Sequence, residues 1–277
     1  MKKLILIALI FTGIVSLNAQ KKEKIKGNRE VLIKKFLVPS FSEIEIGEKF
    51  EIALEKSTDT TRIIIETDDN LFDVIHYSVE NEVLKFNTSM EIVKKKRLRI
   101  TVFVPEKFHK IRLIEKGKVF NKDELSFDNL RIEAIEKGKA ELFLDIKNNL
   151  EIEAADKSDL ELEVTTNNTS VHLTGNASVK GKINTKNMEI ALDDHSGFNM
   201  EGNCNQLKIN TQSKAEYKSS KLEVKDAVLS TTGKSTVKIN VSGNIVMKLS
   251  GESETYLYGT PKINLKTFND NAILYKK

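Results

Sequence analysis

The sequence reads as an all-β chain: a two-sheet parallel β-helix, or solenoid, with rungs of about 19 residues, preceded by a β-rich N-terminal capping segment. Three observations lead there. Val, Ile, Leu and Thr fill the apolar and small-polar positions, Trp is absent and only three Pro occur, a composition that favours strands over helices. From Ile111 onward a short strand of the form apolar-x-apolar recurs eight times over 152 residues. A polar turn rich in Gly, Ser, Asn, Asp and Lys returns inside every unit.

The first nineteen residues stand apart. Lys2 and Lys3 precede an almost wholly apolar run from Leu4 to Leu17, and Ala19 supplies a small residue before the polar run Gln20 to Lys26. This is the layout of a secretory signal peptide, with cleavage expected after Ala19. The apolar run is short of the roughly twenty residues a membrane span needs, so no transmembrane segment is expected after cleavage. No Cys lies near the cut, so no lipoprotein anchor is expected. The expected address is the periplasm, the outer-membrane surface or the exterior.

Removing residues 1–19 takes two lysines from 44 basic residues and leaves 42 against 40 acids, a net charge of +2. A near-neutral chain of mixed signs offers nothing to nucleic acid. The run Lys94-Lys95-Lys96-Arg97-Leu98-Arg99 is read as a solvated loop entering a strand; a patch for anionic glycan or lipid headgroups is the alternative. Cys204 is the only cysteine, so there is no internal disulfide, and it is read as a small core or turn residue.

Residues 20–37 read as a polar leader and first strand, and 38–277 as one elongated domain, with 38–110 capping and 111–277 repeating. Within the capping part, Phe50, Ile52 and Leu54 keep period two while Glu51 and Glu55 face away. Ile63-Ile64-Ile65 suggests a strand buried on both faces. Asp68-Asp69-Asn70 reads as a turn or helix cap, residues 79–86 as a hairpin, and Leu98 to Val104 as a strand ended by Pro105.

The repeat units begin near Ile111, Leu130, Leu150, Val171, Met188, Leu207, Val228, Ile245 and Ile263. Their mid-unit turns include Glu115-Lys116-Gly117-Lys118, Glu136-Lys137-Gly138-Lys139 and Asp156-Lys157-Ser158-Asp159, and run on to Asn269-Asp270-Asn271-Ala272. One unit cannot bury its apolar face alone. Stacked in parallel, the units pair each strand with its copy in the next. Ile132, Ile152, Leu173, Ile190, Ile209, Met247 and Leu265 are then the expected inward ladder. Nine rungs at about 4.8 Å give a rod of roughly 43 Å. Its two end edges would need cover.

The segments Phe41-Ser42-Glu43-Ile44-Glu45-Ile46-Gly47, Phe50 to Leu54, Asp69-Asn70-Leu71, Leu84-Lys85-Phe86 and Ile100 to Pro105, with the first repeat Ile111-Arg112-Leu113 and the Gly/Ser turns Thr232 to Ser235 and Ser250 to Ser253, resemble a family of exported Bacteroidetes proteins. The family is described as putative auto-transporter adhesin, head GIN domain. The resemblance covers about residues 38–277. It implies a two-sheet β-helix without recognised catalytic residues, and a proposed role in adhesion. Glu115-Lys116-Gly117 and Asp156-Lys157-Ser158 depart from the family's Ser-Gly-x-Gly-like turn.

Asp193-Asp194-His195 is the most suggestive chemical cluster, with Asp156 and Lys157 two rungs earlier and Lys214 one rung later. A polysaccharide-cleaving β-helix would need two carboxylates about 5 to 10 Å apart in a cleft; the plainer reading is a polar turn. His172 reads as an exposed strand residue between inward Val171 and Leu173. No His pair, Cys cluster or acidic loop has metal spacing, and no Gly-rich phosphate loop is present. No catalytic, cofactor-binding or metal-ligating residue is therefore assigned. The expectation is a non-enzymatic exported binding protein with a glycan or protein ligand at the cell envelope. An envelope structural or stress-response component and a polysaccharide-active enzyme are the alternatives.

Overall fold

The computed structural model describes residues 22–57 and 61–277; the expected signal peptide, residues 1–19, lies outside them. The repeats form a parallel β-solenoid. Ile111 to Leu113 pair with Ile132 to Ala134, and the register then runs on through Ile152 to Ala154 and Val171 to Leu173. The middle rungs each have one tight turn and one long strand that bends at a corner, as in Asp159–Leu173 and Ser178–Leu192, while the end rungs are split into two short strands such as Thr236–Val241 and Asn244–Leu249. The two halves of the long strand belong to facing sheets, so the two-sheet expectation holds.

Every rung turns through one residue in the left-handed region: Glu115, Glu136, Asp156, Gly175, Asp194, Ser213, Gly233, Gly251 and Asp270. Glu48 has the same conformation, at φ 51°. The sequence places the first rung at Ile111, but the structure adds one before it. Glu43–Ile46 pairs in parallel with Lys110–Leu113, and Glu51–Lys56 with Lys118–Asn121. Part of the expected cap is thus a rung in register with the rest.

Over that rung lies one further layer that is out of chain order. Val83–Thr88 and Leu98–Val104 pair in parallel with the far sides of Glu43–Ile46 and Glu51–Lys56. Antiparallel strands then close this end. Ile75–Glu80 pairs with Val83–Thr88 as the expected hairpin, and Arg62–Asp68 pairs with Leu98–Val104. Val31–Leu37 covers Arg62–Asp68 in turn. Where Asp68-Asp69-Asn70 read as a turn or helix cap, a short 3-10 helix spans Asp69–Leu71.

The interior is a set of ladders. Of the expected inward residues, Ile132, Ile152, Leu173, Ile190, Ile209 and Met247 are buried. Leu265 pairs in register with Met247 but is 41% exposed, since among the described residues no rung pairs with its other side. Val228 is 48% exposed: Ala227, not Val228, pairs with Ile245 and Leu207. A one-residue slip moves a strand residue to the opposite face. The buried rings of Phe198 and Tyr217 stack 5.7 Å apart at paired positions. The corners carry a second ladder. Asn149 Nδ2 donates to Asn129 Oδ1 at 2.8 Å, Asn168 to Asn149 at 3.2 Å and Asn187 to Asn168 at 2.9 Å.

Candidate functional site: a groove along the turn edge

The turn edge is built by one repeated contact. At four turns the left-handed residue donates its backbone N–H to an acidic side chain of the next rung. Glu115 accepts from Glu48 N–H at 2.7 Å, and Asp156 from Glu136 at 3.0 Å. Asp194 accepts from Gly175 at 3.0 Å and Asp270 from Gly251 at 2.9 Å. Left-handed geometry costs a non-glycine residue about 1–2 kcal/mol; a hydrogen bond from a backbone N–H to a charged acceptor offsets a cost of that size. Carboxylates here therefore recur for a mechanical reason.

The residue after each left-handed position points into solvent. It is lysine at Lys49, Lys116, Lys137, Lys157, Lys214 and Lys234, with Asn176 and His195 between. Beside the first rungs a strap stands off this edge. Lys24–Lys26 pairs in parallel with Glu91–Lys94. Lys22 ties the strap down, its ammonium 2.6 Å from both Glu48 Oε1 and the Thr88 carbonyl. Burial works to raise the Glu48 carboxyl, but the hydrogen bonds from Lys22 and Thr88 outweigh it and hold the group below the usual carboxylate range.

Between strap and turns runs an open groove of about 770 Å³, reaching from Glu48 and Lys49 to Gly175 and Asn176. Ile92 of the strap and Leu98 at the start of Leu98–Val104 give it an apolar end beside Phe50. Lys95, from the basic run, faces into it, and desolvation there lowers its ammonium below the ordinary lysine range. The rest of that run is partly engaged in structure. Arg97 pairs with Glu66 at 3.4 Å, and the Lys96 and Arg97 amides donate to Asp68.

The cluster Asp193-Asp194-His195 lies further along the edge, outside the groove. Both carboxylates are fastened to the turns. Asp193 accepts from Ser213 Oγ and Gln212 Nε2, each at 2.6 Å, and from the Asp194 amide. The Ser213 hydroxyl, with the Asp194 amide, holds Asp193 below its ordinary range. Asp194 is occupied by Gly175 N–H. His195 stands exposed in the lysine column, and His172 is exposed on its strand as expected. Cys204 is buried at a corner between Thr185 and Val224, its thiol donating to the Gln206 carbonyl at 3.2 Å. Among the described residues no group of three or more His, Cys, Asp or Glu side chains is placed to hold a metal ion.

Two features escaped the sequence reading. The Glu48-Lys49 pair repeats Glu115-Lys116 and Glu136-Lys137, but the intervening chain hides the match. The corner polar residues precede an apolar one at Asn129-Leu130, Asn149-Leu150 and Asn187-Met188, which a search anchored on apolar positions passes over.

The sequence profile of the family described as putative auto-transporter adhesin, head GIN domain, matches residues 40–182 and again 151–261. The chain belongs to this family. The two matches overlap inside the repeats, as expected when neighbouring rungs are interchangeable. Solved structures share the fold. A protein described as a putative adhesin from Parabacteroides merdae ATCC 43184 is 17% identical, with a TM-score of 0.66, over 92% of this chain and 99% of that one. A putative adhesin from Parabacteroides distasonis ATCC 8503 is 14% identical with a TM-score of 0.68, over 92% and 100%. A further protein from that organism, described as a putative lipid binding protein, is 16% identical with a TM-score of 0.57, over 92% and 100%. No curated protein matches the chain.

Proposed function

We propose that this head GIN chain is an exported, non-enzymatic binding module of the cell envelope, of the adhesin type. The turn-edge groove carries the reading: a concavity of about 770 Å³ lined by lysines and closed on one side by the tied-down strap. A binding site is a concave surface with a few convergent polar groups, and Glu115, Asp156 and Asp194 along this edge are hydrogen-bonded into the turns. The family's adhesin description and the basic, apolar-tailed N-terminus support an envelope address. Glycan-array and whole-cell binding with the purified chain test it. Retention on a subset of glycans or on cells is the expected result, and uniform lack of binding to both would sink the proposal.

A protein partner is the second reading, favoured by the final rung. Ile263, Leu265 and Phe268 are 44%, 41% and 50% exposed on an unpaired strand edge, the kind of edge that accepts an added strand. Pull-down from envelope fractions with Leu265→Lys as the negative control separates the two readings.

A further inference from the structure

We infer that the turn-edge groove binds a linear anionic polysaccharide of the uronate class, laid along the rod axis with successive carboxylates on Lys116, Lys137 and Lys157. This rests on the binding reading above and names its ligand. The first observation is how the chain distributes its charges. On the broad face of the first rungs, bases and acids alternate across paired strands. Arg131 lies 2.7 Å from Glu133, 3.1 Å from Glu151 and 2.9 Å from Glu153, and Arg112 lies 3.2 Å from Glu45. On the turn edge the pattern is broken. None of Lys49, Lys116, Lys137 and Lys157 has a carboxylate within 4.0 Å among the described residues. Of the acids in the same turns, Glu115 and Asp156 accept backbone N–H groups and Glu48 is engaged by Lys22 and Thr88, while Glu136 shares the groove wall with the lysines. A column of like charges about 5 Å apart repels itself by about 1 kcal/mol per neighbouring pair even in water. The first rungs pair the charges of their broad face and leave these lysines without a carboxylate partner beside the groove.

The second observation is spacing. Rungs stack about 4.8 Å apart, so the groove offers one ammonium per step from Lys49 to Lys157, three steps or roughly 14 Å, with Asn176 on the next turn. One sugar ring of an extended polysaccharide advances by a similar distance, and a uronate carries one carboxylate per ring. A single phosphate or carboxylate ion would use one step and leave the column empty. An acyl chain is the poorer match. The apolar groups sit at one end only, and Phe50 beside them is just 2% exposed, so no apolar trough runs the groove's length. Lys95 is placed at that end, where its lowered ammonium gains most from a carboxylate. The column ends in a pair, Lys234 lying 2.9 Å from Glu252.

The test is calorimetric titration of the full chain with an oligogalacturonate several sugars long. A neutral oligoglucan of equal length and anionic phospholipid vesicles are run beside it. Binding of the oligogalacturonate that weakens with added salt, with no binding of the neutral chain, is expected. The variant Lys116→Glu/Lys137→Glu/Lys157→Glu should lose at least roughly tenfold in affinity, the sum of three exposed charge contacts. Lys182→Glu/Lys186→Glu/Lys221→Glu, outside the groove, should stay within about twofold. The milder Lys→Gln triple and thermal unfolding of each variant keep a folding defect from passing for lost affinity. Equal binding of neutral and acidic chains, equal loss in both charge-reversal variants, or binding of vesicles alone would overturn the inference. Array or cell binding that survives the groove triple also overturns it but leaves the binding module standing; absence of any binding removes both.

Discussion

Asp68 does more for this fold than its place in a strand end suggests. Its side chain is fully buried and accepts the amides of Arg29, Lys96 and Arg97 at 3.3, 3.0 and 3.2 Å, pinning the basic loop and the strap side of the cap to Arg62–Asp68. Removing a charged acceptor strands buried donors. Asp68→Ala should therefore lower stability by about 2–3 kcal/mol in urea unfolding, with Asp68→Asn losing less. Cys204 shows the opposite logic. Burial pushes its thiol up to about 12. The native protein should leave thiol reagents unreacted at neutral pH and react only after denaturation. Because the folded thiol holds its proton more tightly than the unfolded one, this contribution to stability is complete below pH 9. It is lost as pH rises toward about 12, which equilibrium unfolding across that window would register. Both residues are visible in the sequence, but only Cys204 announces its role. Nothing local to Asp68 says that residues 29, 96 and 97 will surround it.

At the scale of strands and turns, the spacing of rungs prices each glycine separately. A methyl on Gly117 would lie 2.0 Å from the Ile46 carbonyl oxygen, so Gly117→Ala must push two rungs apart, at a cost of about 3 kcal/mol. Gly197, one position further along in a later rung, in register with Ser178 and through it with Lys118, has no atom within 4 Å of an added methyl and lacks a positive φ. Gly197→Ala should raise stability by about 0.5 kcal/mol by restricting the unfolded chain. Thermal melts of the two variants should move in opposite directions. The elements themselves were largely legible: the period, the hairpin at residues 79–86, the strand ending at Pro105 and the inward ladder through Met247 follow from alternation and turn chemistry. Three things were not. The true register at Ala227 was masked by the more apolar Val228, because periodicity counts hydrophobicity and backbone pairing does not. The rung at residues 43–56 was read as cap because its successor lies beyond an insertion. The groove depends on Lys24–Lys26 meeting Glu91–Lys94, a pairing that no local pattern encodes.

For the whole molecule, stability should fall along the rod axis. Each rung contacts only its neighbours, so the protection of a backbone amide depends on how many rungs lie on either side. The final strands Lys262–Phe268 and Ile273–Lys276 carry exposed apolar residues and one free edge, while the middle rungs are paired on both sides. Hydrogen exchange followed by peptide should show residues 262–277 exchanging first and residues 140–210 last. Uniform exchange would mean that the rod opens as one cooperative unit.

The out-of-order layer at the other end gives the molecule a direction. Residues 43–56 form a rung whose outer side is covered by residues 83–104 and whose inner side receives residues 110–121. Everything that closes this end is therefore complete in the chain before the first ordinary repeat begins. Cutting the chain after any later turn leaves a shorter rod with the same closed end and the same kind of open one. No cut from the opposite side does this, since losing the first hundred residues takes away the lid and the surface on which the next rung is laid. The protein is thus a column with a fixed foot, and rungs beyond the Gly175 turn can be taken away with both the closed end and the groove left whole.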